Sequence, residues 1–204
     1  MIELVCETDF VAKNEKFLAL SDKVLDAVAA AGAADVEAAL AAPLDGKTVG
    51  EVITDESAII GERIEIRKVS RIEAPATAVY LHRTSKDLPP QIGVVVGYEG
   101  ADEKAALSIA QHISFADPLY LSRDEVPEAE VEKERALVTE ISKNEGKPEA
   151  ALPKIVEGRL TAFFKQVALN EQVHALDADK REVAKVAEAA GITVTSFARS
   201  KVGA

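Results

Sequence analysis

Apolar positions fall on a helical stripe near the N-terminus. Phe17, Leu20, Val24 and Val28 recur at spacings of three, four and four, with Leu25 beside them, which predicts a helix from about 13 to 31. Ahead of it, Ile2–Cys6 alternates weakly and reads as a short strand, followed by a polar turn at 7–11 that holds one aromatic, Phe10. Gly32 is placed to cap the helix, an alanine-rich helix covers 35–42 up to Pro43, and a third short helix covers 48–54. The period then changes to two. Ile64 and Ile66 alternate with Glu65 and Arg67 while Val69 is out of phase, so 62–74 reads as one long strand with a bulge. Strands at 77–84 and 91–97 follow across a loop containing Pro89 and Pro90, and three successive strands with short links predict an antiparallel meander.

The second half is mostly helical. A helix at 102–116 opens on Asp102 and Glu103, where the helix dipole favours negative charge, and Pro118 stops it. A short strand is expected at Leu119–Leu121. Residues 127–145 form a charged helix with Val131, Val138 and Ile141 as its seam. After a Gly146-Lys147-Pro148 turn, Leu152, Val156, Leu160, Phe163 and Val167 mark a second helix running to about 169. Two antiparallel helices about that turn make a hairpin at 127–169. A strand at 172–176, a helix at 179–190 and a strand at 191–202 complete an α+β reading, with a soft boundary near 115–120.

Composition narrows the function. The 204 residues carry net charge −11, with ten Lys/Arg against seventeen Asp/Glu in residues 1–100 and fourteen against eighteen in 101–204. Neither half is a basic module, and aromatics are 4% with no Trp, so direct nucleic-acid binding is not expected. No stretch approaches the roughly 20 apolar residues of a membrane span, and the N-terminus lacks a basic, signal-like region. One cysteine, Cys6, closes no intrachain disulfide, and a reducing cytoplasmic setting is expected.

Catalytic chemistry finds no anchor. Gly46-Lys47-Thr48 imitates the end of a phosphate-binding loop, but position 41 is Ala and the preceding segment is helical, so a turn with a helix cap at Thr48 is the better reading. Gly97-x-x-Gly100 reads as a strand-to-helix turn. His82, His112 and His174 lack ligand spacing, and neither Cys-x-x-Cys nor Gly-x-Ser-x-Gly occurs. No enzyme activity, no cofactor and no metal is expected. The segment Glu3-Leu4-Val5-Cys6-Glu7-Thr8-Asp9-Phe10-Val11-Ala12-Lys13 admits two physical readings. Either Thr8 or Asp9 caps a helix and Phe10 packs inside as a staple, or Phe10 is an exposed wedge beside an acceptor, Asp9.

That segment resembles the signature of the bacterial elongation factor Ts family, the guanine-nucleotide exchange factors of elongation factor Tu. The resemblance continues in order through Gly61-Glu62-x-Ile64 with Arg67, Ile92-Gly93-Val94, Gly100-Ala101-Asp102-Glu103, Gly146-Lys147-Pro148, Val156-Glu157-Gly158-Arg159 and Gly191-Ile192-Thr193-Val194-Thr195-x-Phe197. Val5 stands where the family usually has Asn. The family's upstream three-helix domain, similar to ubiquitin-associated domains, has no counterpart here, which implies a fragment or a processed form. The resemblance implies an α+β core of two lobes, taken as 1–116 and 117–204, each a small antiparallel sheet packed with helices, and a protruding helical hairpin that can serve dimerisation. It implies contact with elongation factor Tu, GDP-bound and nucleotide-free, through Thr8, Asp9, Phe10 and Val11, with Phe10 inserting between two partner helices. Ile92 and Gly93 are implied as a second strip, and His112 as a further contact. The same resemblance admits a scaffold that binds elongation factor Tu without efficient exchange.

Overall fold

The computed structural model describes residues 1–202. The chain divides into two compact units, Met1–Gly97 with the segment from Phe197 onward, and Tyr98–Ser196.

In the first unit, strand β1 (Ile2–Val5) leads into a one-turn helix α1 (Asp9–Ala12) and then α2 (Glu15–Ala30). The helix expected over 13–31 is α2, and the one-turn α1 falls in the segment read as a polar turn. Asn14 has extended backbone and its side chain accepts from the Lys16 amide at 2.9 Å, so it caps a new helix instead of continuing one. The stripe Phe17, Leu20, Val24 and Val28 is buried, while Leu25 stays on the surface. Asp35 caps α3 (Val36–Ala41), and the two-residue strands β2 (Pro43–Leu44) and β3 (Lys47–Thr48) pair across the Asp45-Gly46 turn. Thr48 then opens α4 (Val49–Ile60) in a capping box with Glu51, so Gly46-Lys47-Thr48 is a turn and a cap. The helix runs six residues past the expected end at 54.

Strand β4 (Glu65–Val69) pairs antiparallel with β1, in the register Ile2↔Val69, Glu3↔Lys68, Leu4↔Ile66 and Val5↔Glu65. The register steps past Arg67, which is the bulge that Val69's phase implied. The three-strand meander is therefore corrected. The strand expected over 62–74 ends at Val69, and Pro75, which has no N–H to give a ladder, lies in the irregular link that follows. The next strands, β5 (Ala76–His82) and β6 (Ile92–Glu99), belong to a different, three-stranded sheet with β6 in its centre and β7 (Thr193–Lys201) on its other side. One continuous core unites the α2 stripe with Leu4, Val11, Val49, Ile53, Ile64 and Ile66.

In the second unit, Asp102 caps α5 (Glu103–Ala116), its side chain accepting from the Ala105 amide at 3.0 Å. This helix, assigned to the first lobe from sequence, belongs here. It buries Ala106, Ile109, Ala110 and Ile113. Helices α6 (Glu128–Asn144) and α7 (Leu152–Val167) form the expected hairpin, with Val138, Val156 and Leu160 as its buried seam and Val131 and Phe164 packed against it. Ile141 is not in the seam. Ser142 is buried instead, its hydroxyl satisfied by the Val138 carbonyl at 2.6 Å, and Ile141 is left on the surface. The strands expected at 119–121 and 172–176 are reduced to isolated bridges, Tyr120↔Ala168 and Val173↔Glu182. Helix α8 is Val183–Ala189. Among the described residues no helix is long and apolar enough to cross a membrane.

Candidate functional site

The signature segment is a strand end converted abruptly into a helix start. Thr8 is the N-cap of α1, with extended backbone and a hydroxyl that accepts from the Val11 amide at 3.4 Å. The turn before it is held by bonds that cross more than fifty residues. One Glu62 oxygen accepts the Glu7 and Thr8 amides at 3.2 and 3.0 Å, and the other accepts the Thr8 hydroxyl at 2.6 Å. Glu7 returns the interaction by accepting the Arg63 amide at 3.2 Å. The Cys6 thiol donates to the Thr8 carbonyl at 3.4 Å. Burial, helped by the nearby Glu62 and Asp9 carboxylates, pushes that thiol's pKa up, so it stays a protonated donor.

This frame decides between the two readings of Phe10. Val11 points into the core, and Phe10 is 78% exposed. The staple is therefore excluded. The Lys13 ammonium lies over the ring, 5.1 Å from its centroid. Asp9 is exposed next to Phe10. Thr8 and Asp9 also line a cavity of about 310 Å³ together with Cys6, Leu18, Pro89 and Gln91. That cavity brings the signature next to the start of β6. There, the Ile92 side chain is buried, and Gly93 is half-buried with the Met1 sulfur 2.9 Å from where a Cβ would stand. Any surface the 92–93 strip offers is thus mainly backbone.

His112 sits in the second unit, buried and fully bonded. Its Nδ1 accepts the Ala175 amide at 3.1 Å, which puts the proton on Nε2, and Nε2 donates to the Gln172 carbonyl oxygen at 2.9 Å. The Gln172 amide donates in turn to the Gln166 carbonyl. The His174 ring stacks on His112 with centroids 5.3 Å apart, accepts the Leu176 amide at Nδ1, and reaches the Ser108 hydroxyl at 3.3 Å. Burial lowers the pKa of both rings. The Gln172 bond opposes this for His112, and the Ser108 bond and Asp177 oppose it for His174. A histidine with a lowered folded-state pKa binds fewer protons folded than unfolded, so stability falls as pH drops below the usual value near 6.5. The melting temperature is expected to fall between pH 7 and 5. Replacing both histidines by Asn is expected to flatten that slope. Asp177, held at about 2 chiefly by hydrogen bonds from Arg181, loses its contribution only at lower pH and does not confuse the measurement.

Sequence reasoning named Thr8, Asp9, Phe10 and Val11 together but gave Glu62 no role. Its side chain meets the signature across 54 and 55 residues, a pairing that no local pattern encodes. Among the described residues no group of His, Cys, Asp and Glu is arranged to hold a metal ion.

Comparison with known proteins adds a family match. The family model described as "Elongation factor TS" matches residues 7–204. The chain is 66% identical over its whole length to the protein named Elongation factor Ts of Clavibacter michiganensis subsp. michiganensis, and 64% identical to that of Leifsonia xyli subsp. xyli. It is 52% identical to that of Micrococcus luteus. In each case it covers all of this chain and 74% of the relative.

Proposed function

The chain belongs to the elongation factor Ts family, and we propose how its residues carry out the family's work in translation, the release of GDP from elongation factor Tu. An exchange factor accelerates release by binding the nucleotide-free partner more tightly than the nucleotide-bound one. The coupling is reciprocal, so GDP weakens the factor as the factor weakens GDP. No bond of the nucleotide is broken, and the chain acts as an exchange factor and not as an enzyme. It works in the cytoplasm, without direct contact to nucleic acid or membrane.

The observation that carries this reading is Phe10, 78% exposed on a turn fixed by Glu62 and Cys6. A large apolar ring held out in water gains most when a partner covers it. Asp9 beside it offers a carboxylate to partner donors, and the backbone at Ile92 and Gly93 supplies a second strip. Val11 and Ile92 are buried, so they act by holding this contact surface in place, and buried His112 acts in the same way on the surface of its own unit. Burying one Phe contributes about 1.5–3 kcal/mol, whereas a 10³–10⁵-fold rate gain needs roughly 4–7 kcal/mol. The interface is therefore distributed, with Phe10 as one anchor.

The test is release of a fluorescent GDP from purified elongation factor Tu, with co-elution measured with and without GDP. Exchange requires faster release, and a complex that GDP dissociates. A stable complex without faster release would make the chain a scaffold. The hairpin is proposed as a homodimer surface, because Leu137 and Ile141 remain exposed on α6 beside the filled seam. A strict monomer in sedimentation at high concentration would remove that proposal.

A further inference from the structure

We infer that Glu62 is a positioning residue for exchange: its carboxylate fixes the turn into α1 so that Asp9 and Phe10 are presented in one conformation before the partner arrives. The inference rests on the exchange reading above.

Three donors converge on this one side chain. They are the Glu7 amide, the Thr8 amide and the Thr8 hydroxyl, at 3.2, 3.0 and 2.6 Å. An ionised carboxylate accepts only, and it has two oxygens with room for all three. The third bond also has a downstream effect. By giving its proton to Glu62, the Thr8 hydroxyl leaves its lone pairs for the Val11 amide, so the chain Glu62–Thr8–Val11 closes the first turn of α1.

Glu62 is itself held on a rigid support. It follows Gly61, the left-handed residue that ends α4, and the Gly61 amide bonds the Ser57 carbonyl at 2.8 Å. The Ile64 amide bonds the Ser57 hydroxyl at 3.1 Å, and the Arg63 amide is taken by Glu7. Two short segments far apart in sequence therefore hold each other through reciprocal side chain-to-backbone bonds.

These bonds lie at the surface. Glu7 and Thr8 are exposed, and the buried core that includes Val11, Phe17 and Ile64 stands without them. Hydrogen bonds so placed add little to global stability, but they remove freedom from the segment carrying Phe10. A turn that is loose in the free protein has to be ordered as the ring is inserted, in the nucleotide-releasing step and not at first encounter, which lowers the maximal rate without touching the anchor.

The experiment compares Glu62→Ala, Glu62→Gln, Thr8→Val and the wild type in GDP release from elongation factor Tu, titrated to saturation. Thermal melts and amide hydrogen exchange of each protein accompany it. Glu62→Ala is expected to lower the maximal rate about tenfold, with the half-saturating concentration changed less than threefold and a near-wild-type melt. Its Glu7 and Thr8 amides are expected to lose protection. Glu62→Gln, which keeps an oxygen for the amides and can donate to the Thr8 hydroxyl, is expected to recover most of the rate. Adding Thr8→Val to Glu62→Ala is expected to cost less than the two single losses combined. Wild-type release by Glu62→Ala would overturn the inference, and so would unchanged protection of Glu7 and Thr8. Equal loss in Glu62→Gln with its amides still protected would also overturn it, by pointing to a direct contact of the charge. If the wild type itself fails to accelerate release, the exchange reading falls, and amide protection still decides whether Glu62 holds the turn.

Discussion

Phe10→Ala is expected to slow stimulated GDP release by roughly 10–100-fold while the protein remains folded. The two halves of this result have separate physical causes. In the free protein the ring contributes little, because 78% of it is in water and Val11 anchors α1 to the core. Its contact with the Lys13 ammonium, 5.1 Å from the centroid, is worth only about 0.5–1 kcal/mol at an exposed site. In the complex the same ring passes from water to a packed surface, and loss of such an anchor typically costs about 2 kcal/mol or more. That is about thirtyfold in rate. Asp9→Ala is expected to act in the same direction. The double variant is expected to fall short of the sum, because neighbours on one turn work as a unit. Stopped-flow release beside a melt of each variant measures both halves. A well-folded Phe10→Ala protein with wild-type rates would take this segment out of the mechanism.

Periodicity made the helices legible where the core does the selecting. The four-residue stripe of α2 and the Leu152–Val156–Leu160 row of α7 are buried as their spacing demands. Periodicity misled where hydroxyls replace apolar groups. Thr54 and Ser57 bond back to the Gly50 and Ile53 carbonyls, so their hydroxyls are satisfied within α4, which runs to Ile60 through a stretch that looks polar, and Ser142 is buried where Ile141 was expected. Pairing between distant strands was illegible for another reason. The alternation in 62–69 showed a strand and its bulge, but β1, which completes the ladder, lies some sixty residues earlier. Nothing local distinguishes that partner from β5, the nearer one. The signature segment shows the same limit. Its cap at Thr8 was readable from residue type, whereas the choice between a packed and an exposed Phe10 depends on Glu62 and Cys6 turning the chain so that Val11 faces inward.

Gly100→Ala is expected to be the most costly small substitution in the second unit. Gly100 joins β6 to the cap of α5 with φ of +111°, a region that residues with a Cβ rarely enter, and holding one there costs about 1–3 kcal/mol. Space is the second obstacle. A Cβ at this position would stand 2.6 Å from the Gly191 carbonyl oxygen and 3.0 Å from the Ile192 Cα. Those atoms are backbone and cannot turn aside as a side-chain tip would. Relief requires moving the buried Ile192, or the turn that delivers Asp102 to the Ala105 amide, and overpacking of this kind adds about 1–3 kcal/mol. A combined loss of about 3 kcal/mol or more corresponds to a melting temperature lower by roughly 6–12 °C in a chain of this size. Gly46→Ala is the control. Its φ is also positive, +81°, but nothing lies within 4 Å of the added Cβ, so only the backbone term of about 1–2 kcal/mol applies. The difference between the two melts isolates the steric part. Equal melts would mean that the 100–102 turn yields freely, and would leave the close approach of Gly100 to Gly191 without structural weight.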